Sequence, residues 1–128
     1  MKSFKYIGDA PFIPLRIQGR LESIKELALV DTGAKYVTIR SDLGDVLALP
    51  VQRKEELSGF GSKEKFEVDI SKALIEVNGF DLEVEVAIVD ERRYPNKAPI
   101  AIVGRNFLNK YFITLNGKEI CIERKENF

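Results

Sequence analysis

The residues best suited to chemistry occupy positions 28–34, which read Ala-Leu-Val-Asp-Thr-Gly-Ala. The segment begins with three apolar residues, Ala28, Leu29 and Val30. They predict a buried strand that runs into a tight turn. The turn presents the carboxylate of Asp31, followed by the hydroxyl of Thr32 and by Gly33. A glycine lets other backbone approach closely, and a carboxylate at the end of a rigid strand is suited to proton transfer. This segment occurs once in 128 residues, which limits how such chemistry could work.

An Asp-Thr-Gly triplet by itself is also typical of surface turns, where the aspartate caps its own loop. Two further segments raise the odds of a functional site. Residues 100–108 read Ile-Ala-Ile-Val-Gly-Arg-Asn-Phe-Leu, which predicts an apolar strand that ends at Gly104 and leads into a short helix. Residues 57–61 read Leu-Ser-Gly-Phe-Gly, which places Phe60 between two glycines and between two charged, strand-like arms.

Taken in this order, the three segments resemble the retropepsins, the retroviral-type aspartic proteases and their cellular and prokaryotic relatives. The resemblance covers roughly residues 12–115 and implies one domain over residues 1–128. The implied fold is all-β, a closed β-barrel of the retropepsin type with a β-hairpin flap and one or two short helices. A C-terminal hairpin over residues 112–124 continues past the point where short viral relatives end, which favours a cellular or prokaryotic member.

The resemblance implies an aspartic endopeptidase, a hydrolase that cleaves polypeptides with an activated water and without a cofactor or metal. Two carboxylates that share one proton are needed, so two chains would each contribute Asp31 to a homodimer. In the family, Thr32 would form a hydrogen bond across the dimer beneath the two aspartates. Gly33 would accept a hydrogen bond from the substrate backbone, and Ala34 would line the substrate cleft.

The resemblance also assigns roles to the two other segments. Gly59, Phe60 and Gly61 would form the flap tip, with an ordinary hairpin as the alternative. Gly104, Arg105 and Asn106 would form a structural helix start, with the arginine in an ion pair near the active-site loop.

One position departs from the family pattern. Relatives often carry an aspartate two residues after the triplet, but this chain has Lys35 there. Arg105 therefore needs another partner, and Asp9 or a backbone carbonyl are candidates. A cation at position 35 beside the cleft suggests a preference for acidic substrate residues, and a solvated lysine is the equally simple alternative.

Composition narrows the alternatives. Lys plus Arg and Asp plus Glu number 20 each, so the zero formal charge gives no support for a nucleic-acid partner. The absence of histidine excludes Ser-His and Cys-His catalysis and most zinc sites. The single Cys121 cannot form a disulfide within the chain. No apolar run is long enough to span a bilayer, and no signal peptide is recognisable, so we expect a cytoplasmic protein without membrane contact.

The elements that must position these residues are mostly short strands. The pattern predicts strands over residues 12–18, 24–30 and 36–40, then a short helix or turn over residues 42–49 with Ser41 as its N-cap. Residues 51–57 and 63–70 form the arms of the Phe60 hairpin. Asn-Gly pairs at 78–79 and 116–117 predict two type I′ hairpins, which join strands 73–77 to 80–89 and 112–115 to 119–122. A helix is predicted over residues 104–110.

Two other functions remain open on this reading. The first is a non-catalytic dimer of the same fold that binds peptides or serves in assembly. The second is a small β-barrel in which the Asp-Thr-Gly triplet is coincidental. Retention of both Asp31 and Thr32 argues against a pure binding role, since a binder has no need of that pair.

Overall fold

The computed structural model describes residues 1–59, 62–94 and 98–125. Within these ranges the chain forms ten strands, two short α-helices and one 3₁₀-helix. The strands are β1 (Lys2–Lys5), β2 (Phe12–Gln18), β3 (Ser23–Val30), β4 (Val37–Arg40), β5 (Arg53–Gly59), β6 (Ser62–Val77), β7 (Phe80–Val89), β8 (Ala101–Val103), β9 (Tyr111–Leu115) and β10 (Glu119–Arg124). The helices are α1 (Ser41–Leu47), α2 (Arg105–Leu108) and the 3₁₀-helix Glu91–Arg93.

Six strands close into a barrel in the order β2-β3-β8-β4-β7-β6, and β2 pairs with β6 to complete the ring. The strand β5 adds to the outer edge of β6. A separate three-stranded sheet, in the order β1-β10-β9, joins the two ends of the chain. The predicted all-β class and closed barrel are therefore confirmed.

Alternation of apolar and polar residues explains how the barrel fills. In β2, Ile13, Leu15 and Ile17 point inward and are fully buried, while Arg16 and Gln18 are exposed. Inward-pointing aliphatic residues of the other strands complete the same core, which also takes in Phe107 of α2. Burial of this apolar surface is the main force that holds the strands together.

A second, smaller apolar cluster lies beside the β5–β6 hairpin. Its buried members are Tyr36, Phe66, Val68, Ile70, Ala87, Val89 and Tyr94, with Leu57 and Ala98 packed against them. This cluster connects the hairpin to the end of β7 and to the residue that precedes β4. Its packing anchors the base of the hairpin to the barrel.

The parallel pairing of β3 with β8 determines where the candidate site lies. Leu29 pairs with Ile102 and Val30 pairs with Val103, so the two strands end side by side. Asp31 follows β3 and Gly104 follows β8, which brings the two sequence motifs together across a separation of more than seventy residues. Strand β4 runs antiparallel to β8 and parallel to β7, and it closes the same end of the barrel.

Several local predictions were wrong in detail. Ser41 is the first residue of α1 rather than its N-cap, and its hydroxyl accepts a hydrogen bond from the backbone N–H of Glu91 at 2.9 Å. Helix α2 covers only four residues because a turn begins at Asn109. The predicted strands 63–70 and 73–77 form one continuous strand, β6, because β7 pairs with it from Asp69 to Val77 without a break.

The two predicted type I′ turns have different outcomes. Asn78 and Gly79 both have positive φ, at 46° and 92°, as that turn requires. In the second hairpin, the backbone N–H of Asn116 donates to the carbonyl of Glu119 at 3.3 Å, so Gly117 and Lys118 are the central pair. The Asn116 side chain instead accepts hydrogen bonds from the backbone N–H groups of Lys118 and Glu119.

Strand β1 was not predicted, although its alternating pattern of burial fits the edge of a sheet. No helix within the described ranges has the length and hydrophobicity needed to cross a bilayer.

Candidate active site

Asp31 lies at the open end of the barrel, immediately after β3. Its backbone N–H donates to the carbonyl of Val103 at 3.0 Å, which fixes the start of the turn to β8. Its carboxylate oxygen Oδ1 accepts a hydrogen bond from the backbone N–H of Gly33 at 2.9 Å. Asp31 thus caps its own loop, and that bond orients a partly buried carboxylate. Because the backbone of Asp31 is fixed and one carboxylate oxygen is bound, the carboxylate needs little reorganisation before it acts.

The turn after Asp31 is bound directly to the start of α2. The backbone N–H of Arg105 donates to the carbonyl of Ala34 at 2.8 Å, and that of Asn106 donates to Lys35 at 3.2 Å. A Cβ on Gly104 would lie 2.3 Å from the carbonyl oxygen of Tyr36 and 2.9 Å from that of Ala34. Only a glycine fits at position 104, because the two chain segments cross there in contact.

The side chain of Asn106 extends this connection to two strands. Its Oδ1 accepts from the backbone N–H of Val37 in β4 at 2.9 Å, and its Nδ2 donates to the carbonyl of Glu85 in β7 at 2.7 Å. The two backbone groups lie where the parallel pairing of β4 with β7 begins. Without Asn106, each would lose this hydrogen bond. Asn106 therefore holds β4, β7 and α2 in one arrangement around the turn.

A cleft of about 560 Å³ opens between the Asp31 turn and the β5–β6 hairpin. The turn contributes one wall, the hairpin a second, and residues around β8 a third. The described residues that line it are Asp31, Gly33, Ala34, Lys35, Tyr36, Thr38, Leu57, Ser58, Gly59, Phe66, Val89, Ala98, Pro99, Ile102 and Arg105. Gly59 has φ of 146°, a conformation that favours glycine, at a bulge where the hairpin pairing shifts register.

The hairpin is attached to the turn by a charged network. The Tyr36 hydroxyl donates to Oε1 of Glu55 at 2.9 Å and accepts from Nη2 of Arg53 at 3.0 Å. The Lys35 ammonium lies 3.7 Å from the same Glu55 oxygen, and Arg53 is hydrogen-bonded to the Glu85 carboxylate. The other oxygen of Glu55, Oε2, is buried and accepts no hydrogen bond within the described part of the chain.

The network favours the charged forms of Lys35, Arg53 and Glu85. The Tyr36 hydroxyl and the Glu55 carboxylate raise the pKa of Lys35. The hydrogen bond from Arg53 holds the pKa of Glu85 below its ordinary value, and the same bond raises the pKa of Arg53. Because these side chains are partly exposed, solvent screens the pairs and each contributes little to stability alone.

The predicted site residues are brought together only in part. Asp31, Gly33, Ala34, Lys35, Gly59 and Arg105 line the same cleft. Thr32 is exposed, and its side chain makes no hydrogen bond to any other described residue. Phe60 and Gly61, the rest of the predicted flap tip, lie outside the described residues.

Arg105 also differs from expectation. Its side chain is exposed, and neither Asp9 nor any other carboxylate in the described ranges lies within ion-pair distance. The backbone of residue 105 makes the contact with the turn, while its guanidinium is available to the cleft.

Sequence reasoning missed Tyr36, Arg53, Glu55 and Glu85. The charged, strand-like character of the hairpin arms did not indicate which residues the charges of β5 would meet. A tyrosine directly after the Asp-Thr-Gly-Ala-Lys run was the one available signal, because a buried tyrosine usually finds a partner for its hydroxyl.

Within the parts of the chain that the structure describes, no cluster of three or more His, Cys, Asp or Glu side chains is arranged to hold a metal ion. What one chain offers is a single oriented carboxylate at the wall of a largely apolar cleft. Such a site can accept or donate one proton beside a bound ligand.

Comparison with solved structures identifies the fold. The retropepsin-like aspartic protease from Rickettsia conorii superimposes with a TM-score of 0.66 at 12% identity, over 94% of this chain and 88% of that one. The EIAV protease, solved with the inhibitor HBY-793, gives a TM-score of 0.56 at 19% identity, over 80% of this chain and 88% of that one. No family model and no curated protein matches the sequence. The predicted retropepsin fold is confirmed.

Proposed function

We propose that this retropepsin-fold protein is a homodimeric aspartic endopeptidase that uses two Asp31 carboxylates, one from each chain. The observation that carries the proposal is the oriented Asp31 carboxylate at the wall of a cleft about 560 Å³ in volume. Each chain has one such triplet, so a site with two carboxylates needs a second copy related by a two-fold axis.

The proposed reaction uses water as the nucleophile. One carboxylate accepts a proton from the water as its oxygen attacks the peptide carbonyl carbon, and the protonated partner donates its proton to the carbonyl oxygen. The tetrahedral gem-diol then collapses as the C–N bond breaks. The protonated carboxylate donates its proton to the leaving nitrogen, and the other carboxylate takes a proton from one hydroxyl of the gem-diol, which gives the product carboxylic acid and restores the shared proton. Two carboxylates so close cannot both ionise, so they act as one unit with a shared proton.

The proposal also assigns roles to the neighbouring residues. The Thr32 hydroxyl, which lacks a partner among the described residues, would bond across the dimer and hold the two aspartates coplanar. Gly33 leaves room beside Asp31, since a Cβ there would approach the carboxylate oxygen Oδ1 to 3.2 Å. The β5–β6 hairpin would close over a bound peptide as a flap, with Gly59, Phe60 and Gly61 at its tip.

The experiment is cleavage of an unfolded protein substrate between about pH 3 and about pH 7, the range where carboxylate pairs titrate. We expect the wild type to cleave and Asp31→Asn to lose activity while its thermal melting temperature stays close to that of the wild type. Asp45→Asn is the matched control, because Asp45 lies exposed in α1 away from the cleft.

Absence of cleavage by a wild-type protein shown to be dimeric would contradict the proposal and favour a peptide-binding dimer. Cleavage that survives Asp31→Asn would contradict the assignment of the carboxylate. The cytoplasmic location expected from the sequence stays a prediction.

A further inference from the structure

The charged residues that line the cleft differ in whether a group of opposite charge lies beside them. Among the described residues that line it, three carry a formal charge: Asp31, Lys35 and Arg105. The Lys35 ammonium is drawn toward Glu55 at 3.7 Å, and it also lies 5.1 Å from the centre of the Tyr36 ring. Arg105 has no carboxylate within ion-pair distance in the described ranges. The guanidinium is therefore the lining cation whose charge is left without an acidic partner.

The surroundings of Arg105 strengthen the effect of that charge. Much of the remaining wall is apolar, with Leu57, Phe66, Val89 and Ile102 among its members. A peptide bound against these walls displaces water from the cleft, which lowers the local dielectric constant and strengthens the attraction between the exposed Arg105 guanidinium and an anion. A guanidinium also presents a planar fork of donors that matches the two oxygens of a carboxylate.

We propose that Arg105 determines substrate specificity by binding the carboxylate of an acidic side chain close to the scissile bond. This inference rests on the proposed function, since it names the substrate class of the same cleft. Arg105 and Asp31 line one cavity, so the acidic residue lies near the bond that is cut. In a two-fold dimer the cavity occurs twice, and the preference applies on both sides of that bond.

The preference for acidic substrate residues is thereby assigned to Arg105 and not to Lys35. The sequence pointed to Lys35 because it follows the triplet, but this lysine already faces Glu55. The helix start that carries Arg105 was given a structural role, and its backbone N–H does perform one by donating to Ala34. The side chain at that position is free for a different task.

The first test measures binding without catalysis. The Asp31→Asn protein is immobilised at about pH 6, where acidic side chains are ionised. It is offered two matched libraries of random short peptides, one with Glu and one with Gln fixed at each position in turn. We expect about tenfold stronger retention of the Glu library at one or more positions, as befits a charge-assisted hydrogen bond.

Adding Arg105→Gln should make retention of the two libraries equal, whereas Arg20→Gln should leave the preference intact. Arg20 is a suitable control because it is exposed, has no ion pair among the described residues and does not line the cleft. Equal retention by the protein with Arg105 intact, at any level, overturns the inference. So does a preference that survives Arg105→Gln but is lost with Lys35→Gln.

The second test measures cleavage by the otherwise wild-type protein. The ratio of kcat/KM between Glu and Gln peptides should be about ten and should fall toward one in Arg105→Gln. If that variant does not fold, Arg105→Lys should keep part of the preference, and raised salt should weaken it in the wild type. Acidic selectivity in binding without any cleavage would support the role of Arg105 while contradicting the proposed protease.

Discussion

At the scale of single residues, Asn106 holds the site together through its side chain. We expect Asn106→Ala to leave the Val37 N–H and the Glu85 carbonyl without partners. Each unsatisfied buried group costs about 1–3 kcal/mol, so the free energy of unfolding should fall by at least that much. Activity should fall with it, because the turn after Asp31 is bound to the same helix. Urea denaturation followed by circular dichroism measures the change.

Two variants test whether the loss in the free energy of unfolding comes from these two hydrogen bonds or from any substitution near α2. Asn106→Asp keeps an acceptor for Val37 but sets a carboxylate oxygen against the Glu85 carbonyl, which repels it, so its stability should fall at least as far as that of Asn106→Ala. Asn109→Ala removes an exposed amide in the following turn and should change stability little. Equal stabilities for Asn106→Ala and Asn109→Ala would show that the two hydrogen bonds contribute nothing.

The sequence predicts some of these roles and not others. The contact between Asp31 and Gly33 is local, and the turn chemistry of an aspartate is sufficient to predict it. The partners of Asn106 lie 69 and 21 residues away, so no spacing rule indicates which backbone groups it meets. The same limit applies to Arg105. Its lack of an acidic partner depends on where the chain places its carboxylates, and Glu55, for example, lies beside Lys35 instead.

At the scale of elements, Tyr36 connects the β5–β6 hairpin to the turn. We expect Tyr36→Phe to keep the buried ring but to remove the hydroxyl that serves both Glu55 and Arg53. Glu55 then loses the hydrogen-bond donor to its Oε1, while its Oε2 already has none. The expected loss in the free energy of unfolding is about 1–2 kcal/mol, with faster amide exchange across β5. Hydrogen exchange read by mass spectrometry measures both the location and the size of the change.

Tyr6→Phe is the matched control for this prediction. The Tyr6 hydroxyl accepts a hydrogen bond from the N–H of Gly117, in the turn between β9 and β10 of the separate three-stranded sheet. Its removal should leave exchange in β5 unchanged. If β5 exchanges at the same rate in wild type and Tyr36→Phe, the hairpin is held by its apolar base and not by the hydroxyl.

Periodicity predicted most of the strands and both arms of this hairpin, because alternation records which face is buried. It did not predict that β6 continues through residues 62–77, since the partner changes from β5 to β7 along one unbroken strand. It also gave no indication of the partners of the β5 charges. Arg53 and Glu55 meet Tyr36, a contact that exists only after the barrel has closed.

At the scale of the whole molecule, one chain supplies half of the proposed catalytic pair. The sequence predicts the need for a second copy, because it contains a single Asp-Thr-Gly triplet. The arrangement of the chain ends was not predictable in the same way. Strands β1, β10 and β9 form a sheet within one chain, and this depends on pairing between residues more than a hundred positions apart.

A mixing experiment tests whether the active unit needs two Asp31 side chains. Wild type at fixed concentration is incubated with an equal amount of Asp31→Asn, well above the dimer dissociation constant, until subunits exchange. Random pairing puts half of the wild-type chains into mixed dimers with one carboxylate, so activity should fall to about half. Asp45→Asn, added in the same amount, should not lower the activity, because its Asp31 is intact. Activity that stays constant with Asp31→Asn, after exchange has been shown by mass spectrometry, would mean that one carboxylate is sufficient and that each chain works alone.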